Sequence, residues 1–351
     1  MLVYYSVLGV LCLDMLMRTG IKEKTGIGTK YNVGAALSAI LLTLVSGLRY
    51  MVGTDYPTYV INYELYLHRP LSIFEQPALG IVARISSWIY DDYATWFFIM
   101  ALITVLPIMY RIFKDNMNPA FSVVLFLFLG CWHGSFNLVK QSAAMAILFL
   151  GYKSLVNRKF WRWLIFCLIA SMFHITALFM IPVYFLIAPK ITVYRTSTLI
   201  LIGVLILVLY EPLFDMMEFL KQGEGTTGIN SSVGSRSVSV LRILVNIAPI
   251  AFALAFWKLY DKNDKRFALL FNMSLFNAII NISSISSVYL NRFCTYTNIF
   301  NILFIPYLVK PFKSRTKFLI TTLVCVLYFA FWSYDIYKGS TIRVYQWIFN
   351  R

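Results

Sequence analysis

Residues 267–309 carry a single charged side chain, Arg292. Other uncharged stretches cover 31–48, 94–110, 117–139 and 318–334. About 17 or more apolar residues in helical form are enough to cross a bilayer. Lipid offers no water to backbone N–H and C=O groups, so such stretches must satisfy them internally, as helices. The chain is 60% hydrophobic and 13% charged, where a soluble domain carries about a quarter charged residues. The sequence therefore predicts an all-α, polytopic integral membrane protein in one transmembrane domain, residues 1–351. The first apolar run, 2–17, has no basic residues before it and no small-residue cleavage site, and reads as a retained helix. Cys12, Cys131, Cys167, Cys294 and Cys325 sit singly in apolar segments, with neither a metal-ligand nor a disulfide spacing.

The formal charge is +16. No soluble domain exists to present it to nucleic acid, so its sidedness is what matters. Twenty of the 31 Lys and Arg fall in loops that lie on one face if the apolar runs alternate, and only Glu23, Asp115, Asp261 and Asp264 join them there. That face is expected to be cytoplasmic. Two consequences follow. The segment 71–93, with Glu75, Arg84, Asp91 and Asp92, cannot cross without inverting every later loop, and is expected to be an outer interfacial or re-entrant helix. The run 163–189, basic at both ends, is expected to be two short helices meeting at an outer apex near His174. The count becomes about 12 transmembrane helices with both termini outside, and with outer loops at 49–93 and 211–242.

Under this topology the unusual polar residues gather on the outer side. Arg49 ends an apolar run, where it is either a snorkelling anchor or a ligand-binding cation. Gly53 and Pro57 bracket a turn that presents Asp55 between aromatics. Asp55 is a candidate base, a sugar-hydroxyl acceptor or a partner for Arg49. Lys140 and Gln141 open a helix from the outside. His174 stands among apolar residues, and an ionisable group inside a membrane is a functional candidate by default, with a pKa range suited to proton transfer. Tyr296 lies one helical turn after Arg292, on the same face. With Arg236 and Arg242 of the long loop, Arg49, Lys140 and Arg292 would make a cationic cavity, and Arg forks suit phosphate oxygens. Asn277 and Asn281 either line that space or bond neighbouring helices. Nucleotide, zinc and serine-nucleophile motifs are missing from the sequence, and no cofactor is implied.

These groups, in order, resemble the EpsG-type branch of the Wzy polysaccharide polymerases of bacteria. The resemblance is carried by Gly47-Leu48-Arg49, Gly53-Thr54-Asp55-Tyr56, Tyr59, Lys140-Gln141, Phe173-His174-Ile175-Thr176-Ala177-Leu178, and Arg292 with Tyr296. Lys140 stands where such proteins are expected to carry Arg. The resemblance implies an enzyme of the bacterial inner membrane with its site facing the periplasm or exterior. Such an enzyme joins oligosaccharide repeat units carried on undecaprenyl pyrophosphate, in O-antigen, capsule or exopolysaccharide synthesis. It implies lipid-linked oligosaccharides and membrane lipid as partners, and leaves room for a chain-length regulator protein. Breaking the anomeric C–O bond loads charge onto the leaving pyrophosphate, which fixed cations stabilise, while the attacking hydroxyl needs orientation and a base. The expected roles follow: Arg49, Arg292 and Arg236 on pyrophosphate, His174 or Asp55 on the acceptor hydroxyl, and Tyr56, Tyr59 and Tyr296 beside sugars. A transporter or flippase of an anionic lipid-linked substrate predicts repeat symmetry and mid-membrane charges instead, and neither is visible. An O-antigen ligase shares the donor and differs in the acceptor.

Overall fold

The computed structural model describes residues 1–25, 32–72, 75–115, 118–205, 239–284 and 288–351. The expected loop 211–242 lies outside these residues up to 238, and Arg236 with it. Among the described residues the fold is helical, with one isolated β-bridge, Arg49 to Trp347. The chain divides into two compact units. The first comprises Met1–Ser154, Lys159–Ile181 and Phe312–Arg351, and the second Leu155–Arg158 and Pro182–Pro311.

The helices of the first unit begin with α1 (Leu2–Thr25), α2 (Asn32–Gly47), α3 (Tyr56–His68), α4 (Pro77–Ile89) and α5 (Tyr93–Asp115). They continue through α6 (Pro119–Phe128), α7 (Cys131–Gly134), α8 (Val139–Leu150) and α9 (Tyr152–Val156), which ends in the second unit, to α10 (Phe160–Ser171). After α11 (Met180–Leu186), the second unit contains α12 (Val193–Leu205), α13 (Val240–Ala255), α14 (Lys265–Ser283), α15 (Val288–Asn298) and α16 (Asn301–Leu308). The chain then returns to the first unit with α17 (Ser314–Lys338) and α18 (Ser340–Arg343). Three of these, α5, α14 and α17, are long and apolar enough to cross a bilayer by themselves, and a series of shorter apolar helices accompanies them. The protein is membrane-embedded.

Several boundaries differ from the apolar runs. Helix α1 continues to Thr25, past the apolar run that ends at residue 17. The uncharged run 117–139 is not one helix. Asn118 caps α6 by accepting from the Phe121 N–H at 3.2 Å, the helix ends at Phe128, and Gly130, with a φ of +78°, separates it from α7. Hydropathy registers apolarity but not a left-handed glycine. The segment 71–93 holds a helix of 13 residues, α4, at about 1.5 Å per residue too short to span. Its inner face buries Leu79, Val82 and Ala83 while Ile85, Trp88 and Ile89 are exposed. The run 163–189 is divided as the charge pattern requires. Helix α10 ends at Ser171, His174 is extended, and a 3-10 turn at Ile175–Phe179 leads into α11.

Helix α5 is the axis of the first unit, packed against α2, α4 and α8. At Gly47 a Cβ would lie 2.8 Å from the Phe98 Cα, so only glycine lets α2 and α5 approach this closely. Helix α8 is buried on every side from Gln141 to Phe149 and is a core helix rather than a lipid-facing one. The far end of α5 is closed by an ionic clamp. Arg111 pairs with Asp115 at 2.5 Å and donates to the Leu150 carbonyl from Nε at 2.7 Å, and Lys153 reaches Asp115 at 3.0 Å. The Asp115 side chain is only 2% exposed. Asp115→Ala strands a buried guanidinium and is expected to cost roughly 2–3 kcal/mol, read as a lowered unfolding midpoint in detergent.

The second unit has a polar interior. Asn277 of α14 donates to Asn246 of α13 at 3.0 Å, and Thr297 of α15 donates to Asn277 Oδ1 at 2.8 Å. Asn281 donates to the Asn277 carbonyl at 2.9 Å. Asn277 thus bonds helix to helix, as one of the two alternatives for it expects, while the Asn281 bond stays within α14. Asp264 caps α14 by accepting from Arg266 and Phe267 N–H and from the Tyr307 hydroxyl. Burial works against its charge, but these hydrogen bonds hold it below the usual carboxylate range.

Candidate functional site

The turn between α2 and α3 is built around Arg49. Its guanidinium is 3% exposed and stacks over three rings, Phe97 at 4.9 Å, Phe136 at 5.0 Å and Tyr56 at 5.8 Å. It donates to the carbonyls of Val52 and Phe136, each at 3.3 Å, and to that of Ser46. No carboxylate pairs with it among the described residues, so Asp55 is not its partner. Burial lowers the Arg49 pKa to about 10, which still leaves it charged at neutral pH.

Residue 53 has to be glycine. Its φ is +110°, and a Cβ would sit 2.8 Å from both the Asn137 Oδ1 and the Phe136 carbonyl. Asn137 occupies the space that Gly53 leaves. It accepts the Thr54 N–H on Oδ1 at 2.6 Å, while its own carbonyl accepts the Tyr59 hydroxyl at 3.2 Å. Asp55 then opens α3 as its N-cap residue without spending its carboxylate on the cap, and Pro57 follows in the first turn. An N-cap aspartate normally accepts from the N2 or N3 amide. Here the half-buried carboxylate is left for other work.

The aromatic residues of this turn are fixed. Tyr56 is fully buried and stacks on Phe97 at 4.3 Å, and its hydroxyl has no hydrogen-bond partner among the described residues. Tyr59 is buried beside Trp96. Burial pushes both phenols up, and the nearby Asp55 adds to this for Tyr59. Lys140, half-buried, and Gln141, buried, lie in the first turn of α8, and the backbone of Lys140 meets the Tyr59 hydroxyl. Arg49, Asp55, Tyr56, Tyr59 and Lys140 thus share one neighbourhood. His174, half-buried at the apex after α10, places Nδ1 2.7 Å from the Thr176 hydroxyl. The preceding Met172 carbonyl accepts the Ala78 N–H at 3.2 Å, tying this apex to the start of α4.

Arg242, Arg292 and Tyr296 belong to the second unit. Arg242 lies in the first turn of α13, and its carbonyl accepts from Asn246 at 2.8 Å. Arg292 is exposed on α15, with Tyr296 fully buried one turn later. Among the described residues no group of His, Cys, Asp and Glu is placed to hold a metal.

Three features were not legible as site elements. Residues 339–351 lie across the Arg49 turn. Tyr50 N–H donates to the Gln346 carbonyl at 2.9 Å, Ile348 N–H to the Leu48 carbonyl at 2.8 Å, and Gly53 N–H to the Thr341 carbonyl at 3.2 Å. Arg351 pairs with Asp92 at 2.5 Å, and its hydrogen bond holds the Asp92 carboxyl below the usual range. His133, 3% exposed, places Nε2 3.0 Å from Asp335 near the end of α17. A lone acid near the end of a long apolar helix was the one available signal for Asp335.

No curated protein and no solved structure matches the chain. The EpsG family matches over residues 35–349, a span that reaches into both units and includes residues 49 to 296, where the candidate site residues lie, and the chain belongs to that family.

Proposed function

We propose that the protein is a glycosyltransferase that polymerises lipid-linked oligosaccharide repeat units on the outer face of the bacterial inner membrane, releasing undecaprenyl pyrophosphate. The family supports a polysaccharide-polymerase type of membrane protein. The observation that carries the finer reading is the turn at residues 47–59, where an aspartate unspent by its own helix cap stands among fixed aromatic rings beside a caged cation. Asp55 serves as the base or orienting acceptor for the attacking hydroxyl, with His174 as the second candidate. Tyr56, Tyr59 and Tyr296 order the sugar-binding surroundings. Arg292, Arg242, Arg236 and Lys140 are the cations for the pyrophosphate, joined by Arg49 on the condition argued below. In this reading the chain crosses the membrane about 12 times with both termini outside. Within the first unit, the Arg111–Asp115–Lys153 clamp and the Arg49 turn lie towards opposite ends of α5, which supports that sidedness.

The test is purified protein in liposomes supplied with undecaprenyl-pyrophosphate-linked repeat units. The expected outcome is a ladder of polymer with release of undecaprenyl pyrophosphate. Transfer of intact units across the bilayer with no ladder makes the protein a flippase and overturns the reading.

A further inference from the structure

Arg49 presents a contradiction if it is to touch a phosphate. Its charge is buried with no counter-ion among the described residues, and what closes it off includes residues 339–351. Trp347 bridges to Arg49 itself, and the Tyr345 hydroxyl donates to the Val45 carbonyl at 2.6 Å. We propose that residues 339–351 form a releasable strap, which must lift from the 48–54 turn before the Arg49 guanidinium meets a phosphate of the lipid-linked substrate. The inference rests on the polymerase reading for the identity of that substrate, but not for the motion.

Three observations support it. The strap is held by polar contacts, among them the Tyr4 hydroxyl on the Ile342 carbonyl at 2.8 Å and the Met1 amino group on that of Arg343 at 2.7 Å, rather than by buried apolar surface. Of residues 341–351 only Ile342 and Ile348 are buried, while Val344 and Phe349 are 60% and 78% exposed. Segments with few buried apolar contacts open at free energies far below that of global unfolding. The strap also has a fixed base. His133 holds Asp335, and Gly339 follows as the α17 cap residue, so the chain can swing from Gly339 without unravelling α17. Finally, the closed state carries its own driving force for exchange. A guanidinium held only by carbonyls and ring faces has lost its hydration without gaining an anion. A phosphate would satisfy its fork better. The Arg351–Asp92 pair is the latch at the end of the strap, and its Arg351 side, 38% exposed, is open to competition from water.

Thr54 and Thr341 provide the test, because their hydroxyl oxygens lie 3.1 Å apart and both residues are exposed. The Thr54→Cys/Thr341→Cys protein, oxidised, should lose polymerisation by at least about tenfold, regain it on reduction, and differ in this from each single-cysteine control. A stapled protein that polymerises at the reduced rate overturns the strap and leaves the polymerase reading standing. Hydrogen exchange on the unmodified protein decides the motion independently of activity. The amides of Tyr50, Gly53 and Ile348 should exchange at least about a hundredfold faster than those in the middle of α5. Arg351→Ala should speed them a further two- to fivefold or so. Protection equal to that of α5 overturns the proposal. If wild type makes no polymer at all, the polymerase reading falls and the exchange result alone judges the strap.

Discussion

Arg49→Ala is expected to cut polymerisation at least about a hundredfold and to lower stability by about 2–3 kcal/mol. The two losses have different origins. The rate falls because a cation meant for the leaving pyrophosphate is gone. The stability falls because the carbonyls of Ser46, Val52 and Phe136 lose their donor in a site closed to water. Arg49→Lys separates them. An ammonium keeps the charge but cannot direct a planar fork at three carbonyls, so it should recover part of the rate and little of the stability. Initial rates with lipid-linked units, paired with thermal unfolding in detergent, check both. Normal-length polymer from Arg49→Ala at normal expression removes the residue from the site.

Arg292→Ala is expected to show the opposite pairing, a loss of about a hundredfold in rate with stability within about 0.5 kcal/mol of wild type. Arg292 is exposed on α15, so its truncation creates no sealed void. Its role in the proposal is electrostatic, and the deficit should appear mainly in kcat once substrate is saturating. A drop in unfolding temperature comparable to that of Arg49→Ala would assign Arg292 to the scaffold instead.

The contrast between these two arginines marks what the sequence could convey. Each ends or interrupts an apolar run, and each reads identically as an interfacial cation. What separates them is burial, which for Arg49 is supplied in part by Phe97 and Phe136, residues 48 and 87 positions away. The break at His174 and the shortness of α4 were legible, because alternating charge along the chain constrains where it must turn. The Gly53–Pro57 turn was legible as well, since glycine and proline act locally. Asn137, the His133–Asp335 pair and the strap were not. The Thr54–Thr341 contact joins positions 287 apart, and His133 and Asp335 are separated by 202. No periodicity carries information over such distances. The sequence presents Lys140 as a cation, yet at the turn it is the Lys140 backbone that meets the Tyr59 hydroxyl.

Helix α17 connects this chemistry to the bilayer. Only 22% of its apolar window is buried, and Phe318, Leu319, Leu323, Val326 and Leu327 are exposed to their surroundings. Its 25 residues measure about 37 Å, against a hydrocarbon core of about 30 Å. Such an excess is absorbed by tilt, and the tilt changes with the thickness of the surrounding lipid. Gly339 rides on the end of this helix, so acyl-chain length becomes a mechanical input to the segment that covers Arg49.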